Sequence, residues 1–158
     1  MKRLAGKVIA LTGAGGGLGR ATALAMAAEG ARVAITDVDA AGLAETAALL
    51  VAQGAEVLSH TGDITLAATS TALVELATAR WGALHGLANI AGVLGAGTLE
   101  EATAASFDRV MHVNCLAQLL AIQAALPALR QAGGGAIVNV AAIGARVALP
   151  MRSGYCAA

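Results

Sequence analysis

The sequence predicts an α/β fold in which helices cover both faces of a doubly wound parallel sheet. Short apolar runs alternate regularly with longer, alanine-rich segments along the chain. The runs are apolar throughout rather than alternating in polarity, as is typical of strands buried on both faces. A helix-length segment separates each run from the next, and such a crossover joins parallel neighbours, which a short hairpin cannot do. Right-handed crossovers then give a three-layer α/β/α arrangement.

Each element follows from local signals. Strands are expected at 7–12, 32–36, 55–60, 84–89 and 136–141. Helices are expected at 18–29, from an Asp39 cap to 53, from a Thr65 cap to 80, and at 104–130. Asp and Thr are favoured caps because their side chains accept hydrogen bonds from the free N–H groups of the first helical turn. Gly30 and Gly54 stand where a left-handed residue ends a helix.

Two helices carry predicted core faces. In the third helix, Leu66, Leu73 and Leu76 are expected in the core. In the last helix, apolar residues recur at helical spacing and predict one buried face. That face comprises Val110, Val113, Leu116, Leu120 and Ala124. Pro127 is expected to kink or tighten the last turns of this helix.

Length and composition favour one compact folded domain over residues 1–158, or a piece of a larger one. The 158 residues are 58% hydrophobic and 13% charged, a balance opposite to that of disordered chains. The net charge of zero offers no basic surface for nucleic acid or an anionic membrane. No uninterrupted apolar run approaches the ~20 residues of a membrane span, and the N-terminal run is too short for a signal peptide. We therefore expect a cytoplasmic protein.

Cysteine and histidine usage predicts neither a disulfide framework nor a metal site. Cys115 and Cys156 are too few and too far apart, and we expect both to be buried free thiols. His60, His85 and His112 form no spaced cluster and are interpreted as structural.

A glycine-rich loop lies between the first strand and the first helix, from Thr12 to Gly19. Glycine lets the backbone turn through positive φ and brings its N–H groups close to a ligand. The helix that follows offers free N–H donors and the positive end of its dipole, which suit a pyrophosphate. At the first strand-to-helix junction of an α/β chain, this predicts a Rossmann-like dinucleotide site, although glycines also serve in tight structural turns.

Asp37 ends the second strand, close to the ~20-residue spacing at which an acid meets the adenosine ribose. A carboxylate there accepts hydrogen bonds from both ribose hydroxyls and repels the 2′-phosphate of NADP. Neither Gly16 nor Val38 supplies a compensating positive charge. Loop and acid together favour NAD over NADP, the alternative being an ordinary aspartate that begins a turn.

With these motifs the chain resembles the classical short-chain dehydrogenases/reductases. The family's TGxxxGxG pattern is matched by Thr12, Gly13, Gly17 and Gly19, and its NNAG motif by residues 89–92, with Ile90 in place of the second Asn. The resemblance implies that the cofactor is bound by Gly13, Gly15, Gly16, Gly17, Leu18, Gly19, Asp37, Val38, Asp63, Ile64, Asn89, Ala91 and Gly92. It further implies catalytic positions at Asn114, Ala142 and Tyr155, with Asp63 near the adenine and Asn114 holding a proton-relay water.

Two departures from the family pattern bear on activity. The family's serine position is occupied by Ala142, and its lysine, four residues after the tyrosine, would fall beyond Ala158. A free tyrosine phenol has a pKa of ~10 and is a poor base at pH 7 unless a cation lowers it. Loss of an oxyanion donor such as serine typically costs about 2.7–4 kcal/mol. We therefore expect no turnover from these 158 residues.

Three hypotheses follow. The leading one is that the sequence is, or is cut from, an NAD-dependent oxidoreductase that interconverts a small alcohol and a ketone, and that forms a homo-oligomer at full length. The second is a non-catalytic nucleotide-binding remnant. The third, a nucleotide-sugar or methyl-transfer enzyme with the same loop, explains neither residues 89–92 nor the positions of Asn114 and Tyr155.

Overall fold

A single parallel sheet organises the protein. The computed structural model describes residues 2–158, and within them five strands lie in the order β3-β2-β1-β4-β5. The strands are β1 (Val8–Thr12), β2 (Arg32–Asp37), β3 (Val57–Thr61), β4 (Gly86–Asn89) and β5 (Ala136–Asn139). All neighbours pair in parallel, which confirms the predicted three-layer α/β/α fold.

Helices connect the strands. They are α1 (Gly17–Ala28), α2 (Ala40–Ala52), α3 (Ala67–Trp81), α4 (Ala104–Met111), α5 (Ala117–Gln131) and α6 (Ser153–Ala157). A π turn (His112–Leu116) joins α4 to α5, and a 3₁₀ turn (Ile143–Ala145) follows β5. The π turn, the 3₁₀ turn and α6 were not predicted, because each is too short to show a periodic apolar pattern.

The core has two halves, one on each face of the sheet. Successive residues of β1 point to opposite faces, so Val8 and Ala10 pack with α3 and α5, whereas Ile9 and Leu11 pack with α1 and α2. Many core positions on the helices are alanine, which lets helix and sheet approach closely. Burial on both faces explains the uninterrupted apolar runs of β1, β2 and β4, whereas β3 and β5 are partly exposed.

Several local predictions are confirmed and others are wrong. Asp39 caps α2 through its side chain, and Gly30 and Gly54 have positive φ after α1 and α2. Thr65 does not cap α3, because its N–H and hydroxyl both bind the Asp63 carboxylate and the helix starts two residues later.

The predicted core of α3 is only partly correct. Leu73 is buried, but Leu66 is 59% exposed and Leu76 is 37% exposed. Because the helix starts later than predicted, Leu66 precedes its first turn. The strand ends also differ by a few residues, since 55–56, 84–85 and 140–141 lie outside the ladders.

The π turn moves the buried face of the last helix. The buried residues of α5 include Ala117, Ala121 and Ala125, each one position later than the predicted Leu116, Leu120 and Ala124. A π turn inserts one extra residue into the helix, which shifts the register of every later face by that amount. The helix continues through Pro127 to Gln131.

Two further sequence expectations meet the structure here. Cys115 is exposed and Cys156 half-buried, so the prediction of buried thiols is wrong. The continuous helix Ala104–Gln131 is long and apolar enough to cross a membrane by length and composition alone. Core helices of soluble proteins meet the same criterion, and four residues of α5 are buried against the rest of the fold.

Candidate functional site

The carboxyl ends of β1 and β4 meet where the order of strands reverses. β1 continues through α1 to β2 on one side, whereas β4 lies on its other side, with Thr12 opposite Asn89. Ligands of doubly wound sheets bind in the crevice at such a switch point. A cavity of about 500 Å³ opens there, between the glycine loop and the segment after β4.

The glycine loop approaches its neighbours too closely for side chains. Gly13 has φ +77°, and a Cβ on it would lie 2.6 Å from the backbone N of Ala91. A Cβ on Gly19 would overlap the carbonyl oxygen of Gly13. The loop therefore folds back tightly and presents α1, which begins at Gly17, to the cavity.

The Asp37 carboxylate is fixed beside this loop. Its Oδ2 accepts a hydrogen bond from Gly15 N at 2.7 Å, and its Oδ1 accepts one from Asp39 N at 2.9 Å. A Cβ on Gly15 would come within 2.8 Å of the carboxyl carbon, so glycine is needed there too. Asp37 nevertheless lines the cavity, and its carboxylate oxygens retain acceptor capacity beyond these two hydrogen bonds.

Most residues predicted to bind the cofactor line this one cavity. They are Gly13, Gly16, Leu18, Gly19, Asp37, Val38, Asp63, Ile64, Ala91 and Gly92. Gly15, Gly17 and Asn89 do not line it. Arg109 and Val113 line it as well, which sequence analysis missed. The sequence indicates them only through their positions, since Arg109 lies five residues and Val113 one residue before Asn114.

Asn89 and Thr12 act behind the cavity wall. Asn89 is buried and donates through Nδ2 to Asn139 Oδ1 at 2.9 Å, while its own Oδ1 has no hydrogen-bond partner within residues 2–158. The buried Thr12 hydroxyl accepts hydrogen bonds from Ile90 N and Ala91 N at 3.2 and 3.3 Å. Asn89 thus links the end of β4 to the end of β5, and Thr12 links the end of β1 to the segment after β4.

A second cavity of about 400 Å³ adjoins the first. Asn114, Ala142 and Tyr155, the three predicted catalytic positions, all line it. Both cavities share the wall formed by residues 90–93. The glycine loop and Tyr155 therefore lie in neighbouring cavities.

Asn114 ties the π turn to this shared wall. Its Oδ1 accepts from Val93 N at 2.8 Å, and its Nδ2 donates to Val93 O at 3.0 Å. The alternative that this side chain merely bonds within its own helix is therefore wrong. Ala142 lines this cavity, and its methyl side chain cannot donate a hydrogen bond to a ligand oxygen.

Two ion pairs away from the cavities, Arg3–Glu29 and Arg32–Glu56, shift the pKa values of their carboxyl groups, and His85 has a structural role. Arg3 lowers the pKa of Glu29 by hydrogen bonding, and Arg32, assisted by Trp81, lowers the pKa of Glu56. His85 Nδ1 accepts a hydrogen bond from Val8 N at 3.0 Å. Within residues 2–158, no three His, Cys, Asp or Glu side chains cluster as a metal site would require.

Comparison with known proteins agrees with this geometry. The family model described as "short chain dehydrogenase" matches residues 7–158. The chain is 43% identical to 2-(S)-hydroxypropyl-CoM dehydrogenase 3 of Xanthobacter autotrophicus over 99% of its own length and 61% of that protein. It is 39% identical to levodione reductase of Leifsonia aquatica, over 99% and 60% of the two lengths.

Solved structures give the same result. A short-chain dehydrogenase/reductase from Burkholderia phymatum in complex with NAD superposes with a TM-score of 0.93 at 35% identity, covering 99% of this chain and 56% of that one. The crystal structure of levodione reductase superposes with a TM-score of 0.93 at 38% identity, covering 98% and 61%. The chain thus spans about 60% of the length of the curated relatives that it matches.

Proposed function

This chain belongs to the short-chain dehydrogenase family, and from that membership and its own cavities we propose that it is the NAD-binding part of an oxidoreductase acting on a small alcohol or ketone. The observation that carries the proposal is that the two cavities lie side by side and share one wall. One holds the glycine loop and Asp37, the other holds Tyr155, and residues 90–93 wall both.

The cavity at the glycine loop fits a dinucleotide. Its floor is glycine where a Cβ would clash, and α1 begins at its edge, so backbone N–H groups can reach a phosphate. Asp37 is held by two backbone N–H groups at the position where a ribose would lie, and Asp63 lines the adjacent part. NAD bound here would supply the nicotinamide ring that accepts or donates hydride.

The preference for NAD over NADP rests on the fixed carboxylate. A 2′-phosphate beside Asp37 would meet a negative charge that cannot swing away without losing two hydrogen bonds. Arg109 is a cation in the same cavity, but it comes from α4 rather than from the loop that holds Asp37. We propose that the carboxylate decides the selectivity.

Tyr155 is proposed to exchange the proton of the substrate oxygen. Asn114 holds the wall beside it through both backbone groups of Val93. Ala142 provides no donor to the same oxygen, and the lysine position of the family lies beyond Ala158. We therefore propose that these 158 residues bind the cofactor without turning substrate over.

A second candidate function is nucleotide binding without catalysis in any form of the protein. The specific observation that favours it is Ala142, because an apolar residue at the serine position removes a transition-state donor regardless of chain length. The relatives' names are those of dehydrogenases and reductases, which favours the enzyme instead.

A spectrophotometric assay of NAD reduction separates these functions. The 158-residue chain, its Ala142→Ser variant, and both sequences extended by the C-terminal part of levodione reductase are incubated with NAD and a panel of secondary alcohols. We expect no reduction without the extension, slow reduction by the extended chain with Ala142, and the fastest reduction by the extended Ala142→Ser variant, because the serine donor contributes about 2.7–4 kcal/mol. Substantial turnover by the unextended Ala142→Ser variant would refute the mechanism, and no turnover by the extended chain with Ala142 would favour nucleotide binding alone.

A further inference from the structure

Arg20 and Thr46 form a hydrogen-bonded cluster behind the glycine loop. Arg20 Nε donates to Thr46 Oγ1 at 2.9 Å, and Arg20 Nη2 donates to the carbonyl oxygen of Gly15 at 2.8 Å. The Thr46 hydroxyl lies 2.7 Å from the carbonyl oxygen of Ala14 and 3.0 Å from that of Gly42, and we assign its one proton to the nearer acceptor, Ala14. Neither side chain lines the 500 Å³ cavity, so neither would touch a ligand bound there.

The cluster fixes two successive peptide groups of the loop. In a trans peptide, the C=O and the N–H of the same group point in opposite directions. Thr46 holds the carbonyl of Ala14, and the N–H of the same peptide, on Gly15, donates to Asp37 Oδ2 at 2.7 Å. The position of the Asp37 carboxylate is thereby linked to the Thr46 hydroxyl.

The next peptide is oriented by Arg20. Its carbonyl, on Gly15, is held by the guanidinium, which turns its N–H, on Gly16, away from Arg20. Gly16 lines the cavity. This N–H is thus directed to the side of the loop on which an anion would bind.

Burial makes the cluster rigid. Thr46 is fully buried, and the Arg20 side chain is only 24% exposed. The guanidinium also contacts Glu45 Oε2 at 2.7 Å and the carbonyl oxygen of Gly42 at 3.3 Å. A planar guanidinium can bind several acceptors at fixed angles, which a lysine ammonium on a flexible stem cannot do.

We propose that Arg20 and Thr46 are positioning residues for cofactor recognition. Thr46 fixes the peptide that anchors the ribose-binding carboxylate, and Arg20 fixes the next peptide, which presents its N–H to phosphate. This inference rests on the proposed function, because it assigns roles toward a dinucleotide. It adds two residues that act from behind the loop without touching the ligand.

Calorimetric titration of the whole protein with ADP, NAD and adenosine tests the proposal. Arg20→Gln is expected to weaken binding of ADP and NAD about tenfold while leaving adenosine, which has no phosphate, within about twofold. Thr46→Val is expected to weaken binding of all three ligands, because each of them, adenosine included, contains the ribose that Asp37 is proposed to bind. Arg32→Gln is the matched control, since Arg32 also pairs with a glutamate but lies outside both cavities.

Arg20→Lys separates positioning from simple charge attraction. The Arg20→Lys variant keeps the positive charge, yet we expect it to bind ADP as weakly as the Arg20→Gln variant does. Full recovery of ADP affinity with lysine, or equal losses for adenosine and ADP in Arg20→Gln, would overturn the role given to Arg20.

Hydrogen exchange at the Gly15 amide tests the cluster without any ligand. Thr46→Val is expected to speed this exchange at least about tenfold, with the amides of Leu11 and Ile35 in β1 and β2 as internal reference. Unchanged Gly15 exchange would overturn the role of Thr46. If the wild-type protein binds neither ADP nor NAD, the proposed function fails, and the exchange experiment still decides whether the cluster orients the loop.

Discussion

Replacement of Asn114 tests how the wall between the two cavities is held. Asn114→Ala removes one acceptor and one donor at 2.8 and 3.0 Å and leaves both backbone groups of Val93 without these partners in a partly buried place. Each such hydrogen bond contributes about 0.5–1.5 kcal/mol net, and leaving partners unsatisfied adds to the loss. We expect the free energy of unfolding to fall by about 2–3 kcal/mol.

Asn114→Asp keeps the shape and the acceptor but loses the donor. At neutral pH the introduced carboxylate faces the carbonyl oxygen of Val93, so we expect a loss of about 1–2 kcal/mol. The loss should shrink in acid, because a protonated carboxyl regains a donor. Gln118→Ala is the control on the same helix, since the Gln118 side chain makes a single hydrogen bond within residues 2–158, to Val140 O at 3.4 Å.

Urea unfolding followed by circular dichroism at low micromolar concentration measures these differences. The expected order of stability is wild type, then Gln118→Ala, Asn114→Asp and Asn114→Ala. An Asn114→Ala variant no less stable than Gln118→Ala would mean that the side chain does not hold the wall, and the reasoning would be wrong.

Three other predictions concern the loop, acid titration and solution behaviour. Gly13→Ala is expected to lower the free energy of unfolding by about 2 kcal/mol or more and to abolish dinucleotide binding. Gly16→Ala is the control and should keep the stability of the wild type, because its Cβ would meet no described atom within 4 Å. Equal losses of unfolding free energy for the two variants in urea would contradict this. Arg32, assisted by Trp81, lowers the pKa of Glu56 in the folded protein. The stabilisation from this carboxylate is therefore present above about pH 4.3, the pKa of a free glutamate, and is lost as the pH falls through the lower pKa of the folded state. The fluorescence of Trp81 should titrate with a midpoint below about pH 4.3, and a midpoint at or above this pH would contradict the pairing. Within residues 2–158, β5 pairs with β4 alone and leaves an apolar edge partly exposed, so we expect the 158-residue chain to self-associate. A monodisperse monomer in light scattering at tens of micromolar would refute this.

The fold was predictable because its signals are local and repeated. Continuous apolar strands, a helix after each, and Asp39 and Gly30 at helix ends all indicate the same architecture. The buried face of α5 could not be predicted, because a π turn depends on packing around Asn114 rather than on a pattern in the sequence. Thr65 failed as a cap because Asp63 competes for its N–H and hydroxyl.

The candidate site was predictable where motif spacing fixes positions along the chain. Glycine positions and Asp37 could be placed in one cavity because strand ends bring them together. Arg20, Thr46 and Arg109 were missed, because their roles depend on contacts between elements distant in sequence. A cation directly after the last loop glycine was the one available signal for Arg20.

The proposal that NAD binds at the glycine loop, with selectivity set by Asp37, is tested most directly by calorimetric titration of NAD and NADP. We expect wild-type protein to bind NAD at least about tenfold more tightly than NADP. Asp37→Ala should weaken NAD binding and narrow this ratio, whereas Asp39→Ala, which removes a neighbouring carboxylate outside the cavity, should preserve the ratio. NADP affinity equal to or greater than that of NAD in the wild-type protein would contradict the account.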